Sequence, residues 1–212
     1  MQTFSIQIRR PSPHGFAGLL VLLWLASACS TPGTRNAEPV AVWDENGFTI
    51  TEQVDAGSGV RGDFEDAMER IAQEDYAGGI ALLEKVTAEA PNASAAYINL
   101  GIAYARSADL ENAEARIRKA LELNPRHPAA YNELGIVLRK LGRFEDARAS
   151  YLEALALYPD FHFARRNLAI LCDVYLSDLG CAVENYEIYT RAVPDDAEAA
   201  MWVADLRSRV KE

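Results

Sequence analysis

The sequence predicts an all-α fold, a stack of about four helix-turn-helix units closed by one further helix. Three observations lead there. First, residues recur at a fixed spacing: Tyr97, Leu100, Gly101, Tyr104, Ala113, Ile117, Ala120 and Pro125 are followed, each 34 residues later, by Tyr131, Leu134, Gly135, Leu138, Ala147, Tyr151, Ala154 and Pro159. A fixed period of this length marks a repeated supersecondary unit. Second, glycine or alanine stands where two antiparallel helices must approach closely, with larger residues between to fill the gaps. Third, a proline follows each second helix, where its missing N–H and its effect on the preceding residue stop the helix.

The elements follow in chain order. Arg9 and Arg10 precede a run of apolar and small residues from Phe16 to Ala28. Thirteen residues are too few for a membrane-spanning helix, which needs about 20, and suit a cleaved leader. The run ends Leu25-Ala26-Ser27-Ala28-Cys29. That ending resembles the lipobox of bacterial lipoproteins, which implies removal of residues 1–28 and lipid attachment at Cys29. The leucine stands four residues before the cysteine where three is usual, and the alternative is an ordinary leader cut after Ala28. Ser30 is not the aspartate that retains such proteins in the inner membrane of enteric bacteria, so the resemblance implies the periplasmic face of the outer membrane. Pro11-Ser12-Pro13 after the arginine pair argues against a twin-arginine route.

The whole chain carries 21 basic and 31 acidic residues, a net charge of −10. Residues 1–28 hold two arginines and no acid, so the remainder carries −12. Such a chain is repelled by nucleic acid and by anionic headgroups, which leaves a lipid anchor as its contact with a membrane. Residues 29–59 are rich in small and polar types and read as a flexible tether. Within them Val40–Trp43 and Phe48–Thr51 are strand-like and flank Asp44-Glu45-Asn46-Gly47, a hairpin signal. Gly57-Ser58-Gly59-Val60-Arg61-Gly62 spells a GxGxxG, but everything after it reads as helix rather than βαβ. A hinge followed by Asp63 as helix N-cap is the expectation there.

The repeats then run over residues 60–93, 94–127, 128–161 and 162–196. The first is weaker, with Ala67, Gly79, Leu83, Val86 and Pro91 in register. In the last, Leu168 and Ala169 fit, while Ala182, Tyr186 and Pro194 arrive one residue late, which predicts an extra residue around 177–180. Residues 197–212 place Ala200, Met201, Val203, Ala204, Leu206 and Val210 on a helical period, a capping helix.

These motifs resemble the tetratricopeptide consensus: aromatic, Leu-Gly, aromatic, Ala, aromatic, Ala and Pro at fixed positions. The resemblance covers about 150 residues and implies a right-handed superhelix that binds a protein or peptide along the concave face of its first helices. On this chain the face comprises Phe64, Met68, Ile98, Ile102, Arg106, Asn132, Ile136, Arg139, Lys140, Phe163, Arg166 and Ile170: an apolar ridge beside basic side chains. Some family members clamp a carboxylate with Lys and Asn; Asn99 and Asn167 occupy one such position, but Glu133 between them opposes it. Cys172 and Cys181 face each other across one hairpin of this repeat, which favours a disulfide in an exported protein over two buried thiols.

No catalytic constellation, metal set or cofactor motif stands out. His14 lies in the leader, and His127 and His162 at repeat junctions read as exposed turn residues. Neither an enzyme nor a small-molecule binder is expected. The reading is an anchored adaptor assisting a cell-envelope machine, similar to the repeat lipoproteins of pilus secretin assembly; the alternative is an accessory subunit of a periplasmic enzyme system, in cytochrome maturation or peptidoglycan synthesis and hydrolysis.

Overall fold

The structure, a computed structural model, describes residues 2–9, 40–44, 47–54 and 56–210. The apolar run 16–28, Cys29 and the first part of the tether lie outside them. Among the described residues no helix is long and apolar enough to cross a membrane.

Every predicted unit is a pair of helices. They are α1 (Ser58–Ala72) and α2 (Tyr76–Glu89), α3 (Ser94–Arg106) and α4 (Leu110–Leu123), α5 (Pro128–Lys140) and α6 (Phe144–Leu157), then α7 (His162–Ile170) and α8 (Leu179–Ala192), closed by α9 (Ala197–Arg209). Each pair packs internally, and each second helix packs on the first helix of the next unit. Small residues allow the approach. A Cβ on Gly135 would lie 2.5 Å from the Tyr151 ring, and Tyr151 is fully buried. The repeated alanines Ala113, Ala120, Ala147 and Ala154 have no exposed surface.

One turn geometry joins the two helices of each pair. Glu74, Ala108, Gly142 and Ser177 all have left-handed backbone, with φ of 64°, 67°, 75° and 53°. Asp75, Asp109 and Asp178 follow three of them and cap the next helix, accepting from the N–H of Gly78, Asn112 and Cys181. A side-chain oxygen there satisfies one of the donors that a helix start leaves open.

The extra residue of the fourth unit sits earlier than expected. Leu171–Tyr175 form a π-helical turn, which holds one residue more than an α turn. In the first three units the helix-capping residue donates its N–H to a carbonyl five back, as Asp109 does to Tyr104; Asp178 reaches six back, to Cys172. The insertion is thus absorbed before Ser177, not in the turn after it. Cys172 and Cys181 are bonded, with Cα atoms 5.9 Å apart, and join this widened turn to α8.

The N-terminal side holds a sheet. Strands β1 (Gln2–Arg9), β2 (Val40–Asp44) and β3 (Gly47–Val54) pair antiparallel in the order β1-β3-β2. The β2–β3 hairpin forms where the sequence placed it, although β3 runs three residues further. β1 lies within the segment read as a leader. Strands β2 and β3 also differ from the flexible tether expected over 29–59, because β3 is fastened to the helices. Ile50 and Val54 are buried, Val54 among Val86, Ala90, Ala93 and Ala96. Between them the Glu52 carboxylate accepts the Ser94 hydroxyl and, at 3.1 Å, the Ala95 N–H. Ala93 has no polar side chain with which to cap α3, so the strand supplies the cap. Burial pushes the Glu52 carboxyl above its ordinary value, opposed by those hydrogen bonds.

Two further expectations are corrected. Asp63 is not a helix N-cap: α1 already begins at Ser58, and Asp63, one turn inside, pairs with Lys85 at 2.7 Å. His127 and His162 are buried rather than exposed. The ring of His127 turns in because its Nδ1 caps α5, accepting from Ala130 N–H at 3.3 Å. In α9 the buried stripe is Ala199, Val203 and Leu206, leaving Met201 and Val210 exposed.

Candidate peptide-binding groove

The first helices α1, α3, α5 and α7 lie side by side. Ile102, Ile136 and Ile170 are partly buried against the main core, and Phe64 and Met68 hold the same relation to the cluster of Ala67, Leu83 and Leu100. Phe163 at the start of α7 is 45% exposed, its ring 4.1 Å from His162 and edge-on to Phe161.

Ile98 does not belong to this open strip. It is 2% exposed and shares the core cluster that includes Ile50 of β3. Asn132 is also closed off, at 3% exposure. Its oxygen accepts from Asn167 at 2.9 Å and its amide donates to Glu133 at 3.1 Å. Asn99 bonds the carbonyl of Ala95 in its own helix. Asn99 and Asn167 are therefore engaged differently, and among the described residues they do not form a carboxylate clamp.

The basic residues do not form one rim either. Arg139 is half-buried, its guanidinium 5.8 Å over the Tyr175 ring and beside the Tyr151 hydroxyl. Arg166 lies 5.4 Å over Trp202 and 4.0 Å from Asp196. Lys140 donates to the Ala105 carbonyl at 3.1 Å, and Arg106 is exposed. The reason is the company each keeps: a guanidinium beside a tyrosine or tryptophan gains by stacking on it. The electrostatic centre is instead Glu133. Burial raises its carboxyl above the ordinary value, while the Asn132 amide and the charges of Arg106 and Lys140 act to lower it.

The residues expected on this face did not include Tyr175 and Trp202, whose rings meet Arg139 and Arg166. Tyr175 stands in the π turn, where a count based on 34 residues loses register; its ring stacks 4.8 Å from Phe144. Trp202 lies in the cap, outside the repeat. Among the described residues the grouping with metal-ligand spacing is Cys172, Asp178 and Cys181. Its two sulfurs are bonded to each other, and the Asp178 carboxylate already caps α8 and meets Arg148 at 3.1 Å.

The arrangement suits an amphipathic or extended segment: partly covered isoleucines, the exposed rings of Phe163 and Tyr175, and a polar line through Asn167, Asn132 and Glu133. Comparison with known proteins agrees with the fold. A family model described as tetratricopeptide repeat matches residues 64–115 and 99–160. No curated protein matches the sequence. Among solved structures, MamA from Desulfovibrio magneticus RS-1 is 18% identical, with a TM-score of 0.65 over 74% of this chain and 88% of that one. PilF from Pseudomonas aeruginosa is 21% identical, with a TM-score of 0.66 over 72% of this chain and 69% of that one. The first repeat domain of Spaghetti, solved with an HSP90 peptide, is 24% identical, with a TM-score of 0.55 over 58% and 97%.

Proposed function

Because a tetratricopeptide-repeat model matches residues 64–160 of the helical part, we propose that this chain acts as a lipid-anchored periplasmic adaptor, holding a protein partner along α3, α5 and α7 while a cell-envelope machine assembles. The observation that carries the reading is Phe163. A ring left 45% exposed at the start of α7, the helix that ends in half-covered Ile170, is apolar surface that a partner would cover. Apolar contact supplies most of the affinity, and Arg106 with Lys140 sets the rate and the preference for acids. The leader and Cys29 supply the anchor, and Ser30 the outer-membrane address.

The test uses the protein solubilised from membranes as bait for envelope proteins. Phe163→Ala combined with Arg106→Glu is expected to weaken partner capture about tenfold or more, the usual scale for losing an interface anchor. Both residues are exposed, so helical signal and melting temperature stay close to wild type. Arg139 is unsuitable for this purpose because it packs on Tyr175. Reversing the outward Glu145 should leave capture unchanged. Identical partners at identical affinity with the double variant would place the function off this face. For the anchor, a palmitate analogue is expected to label the wild type but not Cys29→Ala; equal labelling removes the lipid from the proposal.

A further inference from the structure

β3 is the middle strand of the sheet, and its two neighbours cover it unequally. β2 pairs with Gly47–Thr51 alone, whereas β1 pairs with all eight residues from Gly47 to Val54. For Glu52, Gln53 and Val54, β1 is the neighbour that completes the ladder. β1 also precedes the apolar run that the proposed function reads as an excised leader. Excision would therefore take away one strand and leave the middle one exposed along that side.

The strand left behind keeps a tie to the helices that does not pass through β1, although β1 also lies against α3. Ile50 and Val54 are buried in two separate clusters, and Glu52 between them is clasped by Ser94 and the start of α3. A fixed strand with an open row of backbone donors and acceptors is a template for a further strand. We propose that this edge of β3 is a second docking surface, taking an extended, acid-free segment of a partner protein antiparallel to Gly47–Val54. The inference rests on the leader reading given above.

The chemistry of the occupant follows from the strand that sits there. Gln2–Arg9 carries one cation and no acid, and places Phe4, Ile6 and Ile8 opposite Glu52, Ile50 and Phe48. Alternate apolar positions without negative charge are what this edge accepts. A second copy of the chain is a poor match, because without residues 1–28 each copy carries −12 and the two repel.

The probe is a fluorescent peptide of residues 2–9, titrated against protein isolated from membranes whose intact mass has been measured. Two isomers accompany it, N-methylated either at Thr3, Ser5 and Gln7 or at Phe4, Ile6 and Ile8. Along a strand, alternate N–H groups point to the same side, so one isomer loses three of the donors aimed at β3 and the other loses none of them. The expected result is saturable binding of the parent peptide, retained by one isomer and weakened at least a hundredfold in the other, with slowed amide exchange at residues 52–54. If the mass shows residues 1–28 absent and no peptide binds, or both isomers bind alike, the docking surface is overturned. A dimer whose 52–54 amides are protected without peptide overturns it too, in favour of a second copy. A mass showing residues 1–28 retained means that the leader reading has failed, and the vacated edge with it.

Discussion

Acidifying the protein from pH 7 to pH 4 is expected to remove about 3 kcal/mol of stability through His127 alone, at about 1.4 kcal/mol for each pH unit separating its folded and unfolded titrations. Burial holds this imidazole down at about 4, against an ordinary value of 6.5. Between those two values the unfolded chain binds a proton that the folded chain refuses. The stabilising contribution is therefore complete above pH 6.5, falls as the pH falls, and is gone near pH 4. The geometry gives the same sign: the neutral Nδ1 accepts the Ala130 N–H, and a protonated ring has no lone pair to offer. His127→Asn keeps a good cap and removes the titration. Glu52 and Glu133, both raised by burial, act in the opposite direction, but they are present in both proteins and cancel in the difference. Denaturant melts at pH 7 and pH 4 should show the wild type losing about 3 kcal/mol more than the variant. Parallel losses would mean that His127 does not stay neutral in the fold.

The second large effect concerns the bridge. Cys172→Ser together with Cys181→Ser is expected to lower stability by about 2–3 kcal/mol, the loop-closure entropy for a separation of nine residues. For a domain of this size that is a fall of roughly 5–10 °C in melting temperature. Reduced wild-type protein should fall to the same value, and reduction should not move the double variant. If oxidised wild type and variant melt together, the bridge adds nothing to the stability of the fourth unit.

What the sequence made legible was what repeats. Gly101 and Gly135, the paired alanines and the prolines each recur because each contact in the stack recurs, so the period marked every helix pair. A residue whose surroundings do not recur gave no such signal. The count showed that one residue was inserted near 177–180, yet not that the helix before it had widened; a delay in register is the same wherever the extra residue enters upstream. β1 was hidden because Gln2–Arg9 also reads as the charged start of a leader. Burial of His127 and His162 was misread from polarity, although a polar residue directly before Pro128-Ala129 is a capping signal. In the groove the apolar positions were those that the tetratricopeptide resemblance implies, whereas the directions of Arg139 and Arg166 depended on Tyr175 and Trp202, which lie outside the regular pattern.

The Glu52 clasp has a consequence for how the stack comes apart. Units in a solenoid are held by their neighbours, so an end unit, with one neighbour, ordinarily frays first. Here the chain leaves β3, runs through α1 and α2, and returns to the point where Glu52 holds Ser94, 42 residues on. The first helix pair is thus enclosed in a loop whose two ends are fastened together. Peeling it from the stack frees no loose end while the clasp stands, so the melted segment keeps much less freedom than a frayed terminus would. In this solenoid the first unit opens under the boundary conditions of an internal one.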